Sequence, residues 1–272
     1  MSRHRYAPPA YGQHFLHDRN ILSAIVAAAR LSPGDAVIEV GVGTGRLTEL
    51  LLARGVSLTG VEVDGNLIPA LEEKFAGHAG FRLVKGDILR LPWEELLPPE
   101  GKAVLLGNLP YAISTQVLFR VLDHRQRICR AVFLVQWEVA VRITANPGTK
   151  DFGILAVACQ LYGRPRIVRK VPPGVFLPPP RVDSALVSWE LSAEPLYRVP
   201  DRAFAMRVVK AAFGQRRKKL VNSLGAGFPD LGRDAISLNL GQMGLDPSVR
   251  AEELSVAQFA ELACRLSDAV TR

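Results

Sequence analysis

Four consecutive residues, Asn108-Leu109-Pro110-Tyr111, combine groups suited to a flat base with an exocyclic amine. Asn108 offers a side-chain carbonyl oxygen as acceptor. Pro110 fixes φ at about −65° and has no N–H of its own, so Leu109 and Pro110 can present backbone carbonyls while Tyr111 supplies a ring for stacking. An amine conjugated to a purine is a weak nucleophile because its lone pair is spread into the ring. Two acceptors on its N–H bonds pull it toward a tetrahedral shape and aim the lone pair. Asn and Pro are also common in ordinary turns, so the tetrad alone fits a strand-to-helix turn equally well.

Such a tetrad has to be delivered by a rigid element. Val104-Leu105-Leu106-Gly107 is a short apolar run, and Gly107 and Pro110 close it in the pattern of a buried strand ending at a sheet's carboxyl edge. Upstream, 36–40 reads as another buried strand. Gly41-Val42-Gly43-Thr44-Gly45 joins it to a helix carrying Leu47, Leu50, Leu51 and Leu52. Glycines there let a ligand approach the backbone closely, as nucleotide-type cofactors require. The G-x-G-x-G spacing departs from the G-x-G-x-x-G of dinucleotide enzymes, and no P-loop Lys-Ser/Thr follows, which disfavours nucleoside triphosphates. The next strand, 57–63, ends in Glu62-Val63-Asp64, about 20 residues beyond the glycines, where an acid can accept both ribose hydroxyls. A further strand, 81–85, ends in Gly86-Asp87, and an aspartate there can accept a hydrogen bond from an adenine amine. Each acid alone reads as a turn former. Three successive strands ending in Gly, Glu and Asp at one edge favour a shared nucleoside pocket.

A helix from 114 to 122, a fifth strand at 130–136 and a helix at 138–143 follow, and strands at 155–161, 167–171 and 184–191 are expected to complete the sheet. Alternation of this kind predicts an α/β fold: a doubly wound, mainly parallel sheet with its ligands at the carboxyl edge. Between the last strands lies Val171-Pro-Pro-Gly-Val-Phe176-Leu-Pro-Pro-Pro180-Arg181. Its prolines make a stiff loop, expected to hold Phe176 opposite Tyr111 so that the two rings sandwich an extruded base.

A composition shift at 192–195 sets a boundary between a domain at 1–192, opening with a basic arm at 1–12, and a small helical domain at 193–272. There a helical pattern through Phe204, Val208, Val209 and Ala212 runs into Phe213-Gly-Gln-Arg216-Arg217-Lys218-Lys219-Leu220. Those four cations are expected to meet successive phosphates, although a solvated surface explains isolated charges equally well. The clusters Arg120, Arg125, Arg127, Arg130 and Arg164, Arg166, Arg169, Lys170, Arg181 add to the nucleic-acid reading.

Composition agrees. A chain of 272 residues with 48% hydrophobic content can bury a substantial core, and a formal charge of +8 with pI near 9.7 suits a polyanionic partner. Cys129, Cys159 and Cys264 are odd in number and far apart, so neither a disulfide framework nor a zinc site is expected, and no metal is invoked. No apolar run approaches membrane-spanning length, and the first residues lack the apolar stretch of a secretory signal. The expectation is a monomer in the cytoplasm.

Taken in order, Gln13-His-Phe-Leu16, Glu39 with its glycine loop, Glu62-Val-Asp64, Gly86-Asp87, the tetrad, the Phe176-Leu-Pro-Pro-Pro-Arg-Val-Asp-Ser-Ala185 run and Phe213-Gly-Gln-Arg-Arg-Lys-Lys-Leu-Val-Asn-Ser-Leu224 resemble the KsgA family of small-subunit ribosomal RNA adenine dimethyltransferases. The resemblance covers nearly the whole chain. It implies a Rossmann-like sheet and transfer of methyl groups from S-adenosylmethionine to N6 of two neighbouring adenosines near the 3′ end of small-subunit rRNA. By matching positions it implies that His14, Leu16, Gly41, Gly43, Glu62, Asp87 and Asn108 contact the cofactor. Three positions depart from the family's usual residues: His14 replaces Asn, Val42 replaces Pro, and Trp137 replaces a Lys. Two alternatives stay open: a related large-subunit adenosine methyltransferase conferring antibiotic resistance, and a non-catalytic RNA-binding assembly factor.

Overall fold

The computed structural model describes residues 13–215 and 218–270. The basic arm at 1–12 lies outside them, as do Arg216 and Arg217. In chain order the first elements are β1 (Phe15–Leu16), α1 (Arg19–Ala29), β2 (Ala36–Val40), α2 (Arg46–Leu52), β3 (Ser57–Glu62), α3 (Ile68–Lys74) and β4 (Phe81–Lys85). The one-turn α4 (Trp93–Leu96), β5 (Ala103–Asn108), α5 (Ser114–Asp123), β6 (Ile128–Gln136), α6 (Trp137–Thr144) and α7 (Ile154–Leu161) follow. The chain continues through β7 (Gly163–Val171), β8 (Phe176–Leu177), β9 (Ser184–Leu191), α8 (Arg202–Phe213), α9 (Leu220–Gly227), α10 (Arg233–Gln242) and α11 (Val256–Val270).

Seven strands form one sheet in the order β4-β3-β2-β5-β6-β9-β7. Neighbours from β4 to β6 are parallel, and β9 runs antiparallel to β6. From β2 the chain builds β3 and β4 on one side, then returns to build β5 and β6 on the other, so the order reverses between β2 and β5. That is where an open α/β sheet leaves a crevice for a ligand. The central strands are apolar on both faces, as parallel strands covered by helices must be: Val37, Ile38, Val104, Leu105, Leu106 and Val132 are all buried.

Helix α1 shows how local sequence fixes an element. The Asp18 carboxylate accepts from the backbone N–H of Asn20 and Ile21 at 2.9 and 3.0 Å, satisfying donors that have no partner within the helix. Ile21, Leu22, Ile25, Val26 and Ala29 then recur at helical spacing and are buried against the sheet. A separate two-stranded ribbon pairs β1 with β8, placing Leu16 opposite Phe176.

Two contact-defined units emerge. The first holds the chain up to Ala140 together with Arg166–Ala193; the second holds Val141–Pro165 and the chain from Glu194 onward. A single boundary after residue 192 was expected, so the difference is residues 141–165. Its cause is α7. The segment 155–161 was expected as a sheet strand and is instead a helix, Ile154-Leu-Ala-Val-Ala-Cys-Gln-Leu161, buried over nearly its whole length. A short continuous apolar run has no period to separate a buried strand from a buried helix, and its two alanines and two leucines favour the helix. It packs against α8 and α11 within the second unit. The basic run is also corrected: α8 ends at Phe213 and α9 begins at Leu220, so Lys218 and Lys219 lie in the connection between two helices.

Candidate active site

Val40 pairs with both Val61 and Gly107, so the carboxyl ends of β2, β3 and β5 lie level. A cavity opens at that edge, its wall drawn from segments 13–15, 40–43, 61–63, 86–88 and 108–113. Close packing here depends on Gly107, where a Cβ would fall 2.3 Å from the carbonyl oxygen of Val40.

Glu62, the last residue of β3, is 2% exposed. Its Oε2 accepts the Gly43 N–H at 2.7 Å, and its Oε1 accepts the N–H groups of Val63 and Asp64, both at 2.9 Å. A carboxylate offers about four acceptor positions, so three are filled by backbone and one remains for a ligand. The glycine loop is held to this carboxylate. Gly43 sits at φ 59°, and a Cβ there would meet the Phe15 ring at 3.3 Å, so glycine alone keeps this backbone both left-handed and open.

Glu39, on the adjacent strand, behaves differently. It is 1% exposed, and its Oε2 accepts the Thr48 hydroxyl at 2.6 Å. Burial pushes its pKa up to about 8, with the Thr48 hydrogen bond opposing and the Glu62 charge reinforcing the rise. At neutral pH it is mostly the neutral acid, leaving Glu62 as the carboxylate that faces the cavity.

Asp87 follows β4. Its Oδ1 accepts the Leu89 N–H at 2.9 Å, which fixes the turn and sets the carboxylate beside Ile88 on the cavity wall. Asn108 ends β5, and its Nδ2 donates to the backbone carbonyl of His14 at 2.7 Å. With the donor end committed, Oδ1 is the end of the amide that can serve a ligand as acceptor. The Pro110 carbonyl accepts the Ile113 N–H at 3.1 Å, so one of its two acceptor positions belongs to the turn rather than to a substrate. Tyr111 shares a 2.6 Å hydrogen bond with the Ser184 hydroxyl, and burial raises its pKa above the usual phenol value. The His14 ring lies 5.4 Å from the Tyr111 ring, and its Nδ1 is 2.7 Å from the Pro178 carbonyl, an acceptor only, so Nδ1 carries the proton.

The structure therefore brings His14, Gly41, Gly43, Glu62, Asp87, Asn108, Leu109, Pro110 and Tyr111 around one opening. Leu16 is buried in the core and borders a smaller adjoining cavity with Glu39 and Asn108. Phe176 does not take its expected place opposite Tyr111. It is 2% exposed and packed in the core cluster with Leu16 and Leu186, because β8 turns its ring inward in pairing with β1. A buried ring offers no face to a base. Phe15, Ile88 and the Glu39–Thr48 pair were missed as site residues. Phe15 and Ile88 were legible only as apolar neighbours of His14 and Asp87, and nothing in the sequence pairs Thr48 with Glu39.

The expected cationic clusters also separate. Arg125 donates to the Ala193 and Leu122 carbonyls, Arg127 to the Pro98, Pro99 and Gly101 carbonyls, and Arg130 to Glu190 at 2.8 Å and to the Ala29 carbonyl. Arg120 lies over the Trp93 ring, 5.4 Å from its centroid, and donates to the Leu91 carbonyl. These four are structural cations, which removes them from the support for nucleic-acid binding. Arg166, Arg169, Lys170 and Arg181 are exposed. No described helix is long and apolar enough to cross a membrane, and among the described residues no group of three or more His, Cys, Asp or Glu is placed to hold a metal.

A family model for ribosomal RNA adenine dimethylase matches residues 6–268. The chain belongs to the ribosomal RNA adenine dimethylase family. This dimethylase-family chain is 46% identical over 260 residues to a protein named ribosomal RNA small subunit methyltransferase A from Syntrophotalea carbinolica, covering 93% of this chain and 94% of the relative. It is 41% identical over 279 residues to a protein of the same name from Pelotomaculum thermopropionicum, covering 99% and 95%. Among solved structures, a dimethyladenosine transferase from Plasmodium falciparum shares the fold, with a TM-score of 0.79 at 23% identity over 94% of this chain and 98% of that one. The 23S rRNA methyltransferase ErmE matches with a TM-score of 0.73 at 28% identity over 93% and 99%.

Proposed function

We propose that this member of the dimethylase family transfers methyl groups from S-adenosylmethionine to N6 of two adjacent adenosines near the 3′ end of small-subunit ribosomal RNA. The observation that carries the reading is Asn108: its amide is locked by the His14 carbonyl at the reversal point of the sheet, beside the carboxylates of Glu62 and Asp87. The residues suit the cofactor. Glu62 has an acceptor position left for ribose hydroxyls, Asp87 can accept from the adenine amine against the apolar wall of Ile88, and the backbone at Gly43 would be obstructed by any side chain. When bound, S-adenosylmethionine supplies an electrophilic methyl group.

The chain's own part is positioning, which alone can remove much of a barrier. Asn108 Oδ1 and the backbone carbonyl of Leu109 or the free lone pair of Pro110 grip the N6–H bonds and turn the amine lone pair toward the methyl carbon. Tyr111, held through its hydroxyl by Ser184, presents its ring to the base. No general base is required, since the proton on the methylated amine can leave to solvent afterwards. Lys218 and Lys219, with Arg216 and Arg217 outside the described residues, would meet RNA phosphates. The protein is expected to work as a monomer in the cytoplasm.

The names of the relatives at 41% and 46% identity favour the small subunit, while the likeness to ErmE keeps a large-subunit substrate as the second reading. Incubation of the protein with labelled S-adenosylmethionine and unmethylated small or large subunits, with mapping of the modified adenosines, tests both. Label on two adjacent adenosines near the small-subunit 3′ end is expected. Label confined to the large subunit, or none on either, overturns the proposal.

A further inference from the structure

A second cavity, of about 430 Å³, lies at the carboxyl end of β6, lined by Gln136, Trp137, Glu138, Pro173, Arg181 and Asp183. Its volume falls within the range of small-molecule sites. It is joined to the tetrad by a short path. Tyr111 bonds Ser184, the first residue of β9, and the preceding residue, Asp183, accepts the Trp137 N–H on its backbone carbonyl at 2.9 Å. The Asp183 carboxylate also holds Lys170 at 2.7 Å, and the Lys170 ammonium stands 5.2 Å from the centroid of the Trp137 ring.

Two properties of this arrangement bear on a ligand. Trp93 and Trp189 are 0% and 2% exposed, whereas Trp137, the remaining one of the chain's three tryptophans, is only half-buried. A partly open indole ring with the Lys170 ammonium over it, and exposed Arg181 lining the same cavity, combines an aromatic surface with cations. Single-stranded nucleic acid is held in just this way, the base on an aromatic face and the backbone on the charges.

Resting on the function proposed above, we propose that Trp137 is the stacking platform for the nucleotide next to the target adenosine. Lys170 and Arg181 engage the phosphate of that nucleotide. The target base then enters the tetrad while its neighbour is held out of the stack beside Asp183, the residue before β9. Trp137 positions the substrate and takes no part in methyl transfer. The position where the family's usual residue is a lysine would here bind the RNA through its base in addition to its charge.

The probe is hexa-adenylate RNA, compared with a phosphodiester chain of the same length made of abasic ribose units. Titrating the wild-type protein with hexa-adenylate is expected to quench tryptophan fluorescence, because Trp137 is the least buried of the three. The abasic chain should bind through charge alone and leave the emission unchanged. Trp137→Phe should lose the quenching but keep most of the affinity, measured by anisotropy of labelled RNA. Trp137→Leu should bind hexa-adenylate about tenfold more weakly, yet bind the abasic chain as the wild type does. S-adenosylmethionine binding by both variants serves as the check on folding. Absence of quenching up to millimolar hexa-adenylate, or equal losses for intact and abasic chains in Trp137→Leu, overturns the proposal. Methyl transfer by the wild type to small subunits decides the parent reading separately, whatever the oligonucleotides do.

Discussion

The two ends of the sheet treat polar side chains in opposite ways. At the amino end, Arg125, Arg127 and Arg130 donate to backbone carbonyls and to Glu190, tying loops to the sheet. At the carboxyl end, Glu62, Asp87 and Asn108 are each fixed through one part of the side chain while another part stays at the cavity wall. Both ends are ordered by hydrogen bonds. Only the second leaves placed groups with capacity to spare, and that difference, rather than local charge density, separates a site from a scaffold.

The sharpest test removes one such group. Asn108→Ala is expected to lower single-turnover methylation by about 10² to 10³, or roughly 3 to 4 kcal/mol, since the acceptor matters most as N6 becomes tetrahedral. Cofactor affinity should fall by less. A near wild-type rate at saturating cofactor and RNA would reduce Asn108 to a turn residue. Glu62→Gln comes next. Its amide turns donors toward the Gly43, Val63 or Asp64 N–H groups, so cofactor affinity by calorimetry should weaken by about 1.5 to 3 kcal/mol. Unchanged affinity would remove Glu62 from the pocket assignment.

The amino end should answer in stability instead. Arg130→Ala leaves the Ala29 carbonyl without this donor and Glu190 with Arg30 as its remaining partner, and is expected to cost about 1 to 2 kcal/mol in denaturant unfolding. The RNA affinity of the folded fraction, and its salt dependence, should not move. A flatter salt slope, by about 0.7 to 0.9 per lost phosphate contact, would erase the contrast between the two ends. The last expected effect concerns Glu39 and is read in the pH dependence of stability. Its pKa of about 8 lies above the unfolded value of 4.5, so the folded state holds a proton that the unfolded state releases. Stability is therefore lost as pH rises from 4.5 to 8. Glu39→Gln should abolish that slope, which for the wild type approaches about 1.4 kcal/mol per pH unit between pH 5 and pH 7. Parallel stability profiles for the two proteins would mean that Glu39 is ionised in the fold.

Much of the carboxyl end was legible because its signals are local. Apolar runs closed by Gly41, Glu62, Asp87 and Asn108 state both the strand and the residue at its tip, and the sheet then brings the tips together. Three features were not legible, for one shared reason. The side chain of Phe176 turns into the core through pairing with β1, α7 is a helix because α8 and α11 surround it, and the arginines of 120–130 are claimed by carbonyls distant in the chain. Each depends on contacts that local sequence does not encode. The same limit hid the Glu39–Thr48 pair, whose members look like an ordinary strand acid and an ordinary helix threonine.

The two hydrogen bonds that hold His14 join it across the chain: its carbonyl to Asn108, 94 residues away, and its ring to Pro178, 164 residues away. A protein emerging from the ribosome begins with one of these partners and receives the last only after some two-thirds of the chain has been made. Strands β2 to β5 can assemble earlier, but the wall formed by residues 13–15 cannot be pinned on both sides until Pro178 is available. The wall that residues 13–15 give the cavity is therefore fixed on both sides only once the chain past Pro178 has been made.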